Sequence, residues 1–153
     1  MTLLNRAVEL AAAARAAGNH PFGALLADAA GTVVAEAQNT VETEQDPTGH
    51  AELNLVRAAG HLGAAALGEL TLFTSTEPCA MCAGGIYWSG VGRVVFAMAE
   101  SELLEMTGSD PRNPTLALPS RIVFAAGSRP VLVQGPFPLR SAREVHEEFW
   151  DKP

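Results

Sequence analysis

The sequence predicts an α/β protein: one domain over residues 1–153, built as a three-layer α/β/α sandwich on a mixed five-stranded sheet. Three observations carry this. The chain has 153 residues, 48% of them hydrophobic, which is enough for one buried core and too apolar for a disordered chain. Its first two strand patterns are joined by a short turn, as in a hairpin. The later strand patterns alternate with helical ones, and such alternation places helices on both faces of a sheet.

Thr2 is placed to cap a first helix running to about Ala17, with Leu3, Leu4, Ala7, Val8 and Leu10 on its buried face. Gly18 and Asn19 end it. "FGALLAD" (22–28) and "TVVAEAQN" (32–39) read as the hairpin strands. The polar stretch "TEQDPTG" (43–49) is a loop feeding a helix that starts near His50, in which Ala51, Leu55, Ala58 and Ala59 have core spacing. "LTLFTST" (70–76) is apolar enough for a central strand. Pro78 opens the next helix, to about Ser89, and "RVVFAM" (93–98) is the fourth strand. A short helix follows Glu100, and "GSDPRNPTLALP" (108–119) is a loop whose path is fixed by three prolines. "SRIVFAAG" (120–127) gives a short helix, "PVLVQG" (130–135) the fifth strand and "SAREVHEEFW" (141–150) a terminal helix.

Charge narrows the partners. The formal net charge is −7, and Lys152 is the only lysine. Binding to a phosphate backbone draws on clustered Lys and Arg, so a nucleic-acid partner is disfavoured and a small-molecule substrate is expected. No run of apolar residues is long enough to span a membrane. The N-terminus lacks the basic start and long apolar run of a signal peptide, which reads as a cytoplasmic chain. Cys79 and Cys82 are too close for an ordinary structural disulfide, and in such a chain their spacing points to metal binding or redox chemistry.

"STEPCAMCAGGIYW" (75–88) puts the two thiols at the carboxyl end of a strand and the amino end of a helix, where the helix dipole favours thiolate. Two thiolates and one imidazole leave a tetrahedral zinc ion with an open position, as catalytic zinc requires. His50 can be the imidazole if its helix starts at the same sheet edge. Glu52 then gains a role, since a carboxylate beside metal-activated water can take its proton and pass it on. One difficulty stands in the way: residues two apart on a regular helix point about 200° apart. A redox dithiol is the rival reading of the cysteines, and it leaves His50 and Glu52 without a role. A structural zinc would want a fourth ligand, and His20, His61 and His146 have no ligand spacing.

His-Ala-Glu (50–52) followed by Pro-Cys-x-x-Cys (78–82) matches the signature of zinc deaminases. With "PFGALLAD", "QNTV", "DPTGHAE" and "RVVF", it resembles the cytidine deaminase-like superfamily, in the branch of guanine deaminases and tRNA adenosine deaminases. The resemblance covers about residues 21–98. It implies a five-stranded sheet between helices, one Zn2+ and a homodimer. It implies His50, Cys79 and Cys82 as metal ligands and Glu52 as the catalytic proton shuttle. It also implies substrate contacts from Asn39 and from the backbone amides of Ala51 and Cys79. Two departures are visible: Thr76 stands where the family commonly has a cysteine, and Ser89-Gly90 where it often has Ala-Arg.

Other residues carry two readings. Asn39 at a strand end tolerates turn geometry, but the resemblance makes it a substrate contact. Phe22 is equally a pocket wall or core. Tyr87 and Trp88 are core aromatics, unless one serves a subunit interface. Asp110 and Asn113 read first as a solvated turn, in a loop long enough to be a lid. Glu144, Glu147 and Glu148 fit a wet helix face, with Phe149 and Trp150 as anchors. Recognition of a base still needs an acceptor, so the terminal helix is expected to cover the pocket, its own or a partner subunit's, with Phe149 or Trp150 excluding water at the substrate and one of the three glutamates reading it. The expected reaction is hydrolytic deamination of a free nucleobase or nucleoside, guanine foremost, ahead of cytosine, cytidine or an aminotriazine. Adenosine in tRNA and a non-catalytic zinc or redox module follow.

Overall fold

Five strands form one sheet in the computed structural model, which describes residues 3–108 and 110–150. They are β1 (Gly23–Ala27), β2 (Val33–Gln38), β3 (Thr71–Thr76), β4 (Arg93–Met98) and β5 (Leu132–Gln134), in the order β2-β1-β3-β4-β5. β1 runs antiparallel to β2 and β3, while β3, β4 and β5 are parallel. The sheet is therefore mixed, as expected, with β3 at its centre. β1 is buried throughout, whereas the edge strand β2 is exposed or half-buried along its length.

Helices cover both faces. On one lie α1 (Leu3–Ala16), α6 (Glu100–Thr107) and α8 (Arg140–Glu144), packed over Val95, Ala97 and Met98 of β4. On the other lie α3 (Ala51–Ala59), α4 (Ala64–Gly68), α5 (Ala80–Ser89) and α7 (Ser120–Ala125), over Ala24, Leu26, Leu72 and Val94. α1 buries Leu4, Ala7, Val8, Ala11 and Ala14, an ordinary 3.6-residue face in which small side chains dominate. That allows β1 to come close: a Cβ on Gly23 would lie 2.4 Å from the Ala7 carbonyl oxygen. Thr2, the expected cap, lies outside the described residues.

Several expectations change. The polar loop is preceded by a helical turn, α2 (Val41–Glu44). In α3 the buried face is Ala51, Glu52, Leu55, Val56 and Ala59, and Ala58 is exposed. α4, in a stretch too short and too glycine-rich to carry a helical period, is pinned by buried Leu67. Pro78 precedes α5 rather than opening it; Cys79 is the N-cap. The terminal helix stops at Glu144, and the chain continues in turns to Trp150, with Glu148 left-handed at φ 58°. Among the described residues no helix is long and apolar enough to cross a membrane.

Candidate active site

α3 and α5 both begin at the carboxyl end of the sheet, and their N-caps are His50 and Cys79. Both caps are extended, at φ −70°, ψ 148° for His50 and φ −63°, ψ 170° for Cys79. This removes the difficulty posed by the 200° rotation. His50 lies outside the helix that carries Glu52, so the two side chains can face one cavity. The His50 cap is held by Asn54, whose backbone N–H donates to the His50 carbonyl at 2.9 Å. The Asn54 side-chain amide reaches back to the Gln38 carbonyl at 3.0 Å and the Thr40 hydroxyl at 2.9 Å.

The three potential ligands converge. His50 Nδ1 lies 3.7 Å from Cys79 Sγ and 3.5 Å from Cys82 Sγ. A tetrahedral ion bonded at ~2.3 Å to sulfur and ~2.0–2.1 Å to nitrogen sets those atoms about 3.6 Å apart. The donor set and its spacing therefore fit zinc. Among the described residues this is the one His, Cys, Asp and Glu group with such convergence, so His20, His61 and His146 supply no fourth ligand.

The surroundings polarise these groups. A hydrogen bond from Cys82 and the contact with His50 hold the Cys79 thiol down at about 4, against the effect of burial. The same pairing, reinforced by burial, pushes Cys82 up. Burial works against a charged His50, but Cys79 and the Glu52 carboxylate outweigh it and raise its pKa. Glu52 is 5% exposed, and burial, then the charge at Cys79, raises its pKa. Its Oε1 lies 3.0 Å from the Thr74 hydroxyl, and its Oε2 accepts from Cys82 Sγ at 3.5 Å.

An inner cavity of about 30 Å³ is bordered by Phe22, Glu52, Glu77 and Leu103. An outer one of about 380 Å³ is closed by residues 111–116, with His20 and Met81 among its walls. His50, Cys79, Glu100 and Asn113 border both, so they form the neck between them. Phe22 walls the inner cavity and also packs against both cores, so its two readings hold together. Ala51 is fully buried in the first turn of α3. Asn39 is fully buried too; its Oδ1 accepts from Val41 N–H at 3.0 Å, and its Nδ2 has no partner.

The tail departs from expectation. Trp150 borders neither cavity. It is buried behind His20 and Phe22, donating from Nε1 to His146 Nδ1 at 3.2 Å. Glu147 and Glu148 border a separate depression with Arg143, and Glu144 pairs with Arg140. Because the helix stops at Glu144, none of the three glutamates reaches the neck of its own chain. The loop read as a solvated turn covers the pocket instead. Arg112 ties it to the tail, donating to the carbonyls of Trp150 at 2.8 Å and Phe149 at 3.3 Å while Asp110 holds its guanidinium. Two site residues escaped the sequence reading altogether: Glu77 and Glu100. The available signal was position, since each follows a central parallel strand at the edge where α/β sheets bind ligands.

Residues 1–98 match the family model for the cytidine and deoxycytidylate deaminase zinc-binding region. The chain belongs to this deaminase family. It is a zinc-dependent hydrolase acting on C–N bonds, of the nucleobase and nucleoside type. A Schizosaccharomyces pombe protein named probable cytosine deaminase is 38% identical over 99% of this chain and 92% of its own. Guanine deaminase of Bacillus subtilis is 44% identical over 68% of this chain and 67% of its own. The solved guanine deaminase of Nitrosomonas europaea is 27% identical, with a TM-score of 0.80 over 98% of this chain and 84% of that one. A solved complex with 8-azaguanine, also 27% identical, has a TM-score of 0.81 with the same coverage.

One of the two departures from the deaminase pattern has a local cause. Gly90 caps α5 in the left-handed region at φ 100°, and a Cβ there would lie 2.8 Å from Ala64. An arginine is therefore excluded by the packing of α4. Thr76 is buried, and its hydroxyl has no partner.

Proposed function

We propose that this deaminase acts on a free nucleobase, guanine foremost, as a cytoplasmic homodimer. The observation that carries the free base is the covered pocket: about 380 Å³ beneath a loop fastened to the tail, suited to one ring system rather than a polynucleotide. The charge of −7 and the single lysine point the same way. Guanine is favoured by likeness to guanine deaminase structures over nearly the whole chain, tail included. Cytosine is the second reading, favoured by the S. pombe relative over an equal span.

In this reading His50, Cys79 and Cys82 hold zinc, which supplies a Lewis acid and lowers the pKa of water toward ~7. Glu52 takes one proton from the attacking water and delivers it to a ring nitrogen, then takes a second from the hydroxyl so formed and delivers it to the departing amine. Water adds at the carbon bearing the amino group, the C–N bond breaks, ammonia leaves and a carbonyl remains. Asn39, fully buried and bordering neither cavity, has an unpartnered Nδ2 that on this reading donates to the base once it is seated, and Phe22 keeps water from the inner cavity. The test is ammonia release from guanine, cytosine, cytidine, adenosine, an aminotriazine and a tRNA stem-loop. Guanine should be turned over best. Preference for cytosine reverses the ranking, and deamination of the stem-loop alone overturns the free-base reading.

A further inference from the structure

Three carboxyl groups are buried on the cavity walls, and their partners differ. Glu52 has the Thr74 hydroxyl at Oε1 and the Cys82 thiol at Oε2. Glu77 is saturated: Oε2 accepts from the Glu100 backbone N–H at 3.2 Å, and Oε1 accepts from the Ser120 N–H at 2.9 Å and hydroxyl at 2.8 Å. Glu100 is 7% exposed, and no described residue donates to its carboxyl group. It stands at the neck, bordering both cavities beside His50 and Cys79. Its backbone cannot drift, because the Glu77 carboxylate grips its amide at the start of α6.

Burial, then the negative charges of Cys79, Glu52 and Glu77, raise the Glu100 pKa to about 8, and a donor entering the cavity favours its charged, accepting form. The protein side of the neck offers no such donor, so the donor belongs to what enters. We propose that Glu100 is a substrate-binding residue: its carboxyl oxygens accept hydrogen bonds from N–H groups on one edge of the base, and so select a ring that presents neighbouring donors. Guanine presents N1–H and N2–H side by side, whereas cytosine presents O2 and N3 as acceptors, which a carboxylate repels. The proposal rests on the guanine reading above and adds a residue that discriminates between its two leading rings.

The experiment compares wild type with Glu100→Gln, which keeps the shape but replaces one acceptor oxygen with a donor, and with Glu100→Ala. Zinc content and Tm are measured first, then binding of 8-azaguanine by calorimetry, then KM and kcat on guanine and cytosine. Both variants should retain zinc and Tm. The Kd for 8-azaguanine should rise roughly 10- to 100-fold, the range for a lost hydrogen bond to a charged group, with the loss on guanine mostly in KM. Unchanged 8-azaguanine binding overturns the assignment, as does loss of zinc in step with loss of binding. Failure of the two readings is separable. If wild type neither binds 8-azaguanine nor deaminates guanine, the guanine reading falls and the donor-edge assignment falls with it. If wild type does both and the variants match it, only the role of Glu100 falls.

Discussion

Glu52 and Thr74 show how one hydroxyl can serve both states of a proton carrier. The Thr74 oxygen lies 3.0 Å from Glu52 Oε1 and 3.0 Å from the Thr76 carbonyl, and it has a single proton to give. When Glu52 is charged, that proton points to the carboxylate. When Glu52 is protonated, the hydroxyl turns to the carbonyl and accepts from the carboxylic acid. In both states the contact between Glu52 and Thr74 is kept. Glu52→Gln should retain zinc and fold while kcat drops about 10²- to 10⁴-fold; turnover near wild type would remove Glu52 from the mechanism. Thr74→Val should cost less, roughly 10-fold in kcat, because it removes one hydrogen bond and leaves the carboxylate in place. The pairing of His50 with Glu52 was legible in the sequence as a motif. Its geometry was not, because an N-cap's dihedrals depend on the loop that Asn54 secures.

The elements that hold the site were legible where a period is long and failed where it is short. β1 to β4, α1 and α5 emerge from pattern because each spans enough residues to show one face. α4 and the tail beyond Glu144 do not, since their positions are set by contacts with distant residues. Gly90 is one such contact point. Gly90→Ala should destabilise the fold by at least about 1–2 kcal/mol, the cost of a left-handed backbone for a residue with a Cβ, before the Ala64 clash is counted; thermal melts would show it. The tail carries a second signature. Burial, then the charge of Arg15, lowers the His146 pKa to about 3 from its ordinary 6.5. The unfolded chain thus binds a proton that the folded one refuses between those values. The stability contributed is complete above 6.5 and is lost as pH falls toward 3. His146→Phe should be less stable at pH 8, because the Trp150 N–H loses its acceptor, yet show a shallower fall in Tm between pH 7 and pH 5. An equally steep fall in the variant would place the titration elsewhere.

For the whole molecule, stability is coupled to the metal. An ion present at a thousand times its Kd adds about 4 kcal/mol. Stripping the protein with a chelator should therefore lower Tm by about 10 °C, and zinc should restore it; a melt indifferent to chelation would argue against His50, Cys79 and Cys82 as ligands. Trp88 is 84% exposed on α5, an unusual place for a large aromatic. If self-association covers it, sedimentation should give a dimer for wild type and a shift to monomer for Trp88→Glu. The cavity has one more implication. Every potential ligand, Glu52 and Asn39 lie within residues 1–98, the stretch that matches the family model, whereas Glu100, Asn113 and the loop over the pocket all lie after it. The metal ligands and the proton carrier are thus written in one length of chain, and the cover over the pocket in another. Changes confined to the cover leave the metal ligands and Glu52 in place. Directed evolution confined to residues 99–150 tests this division: substrate preference should shift while zinc content stays at the wild-type level.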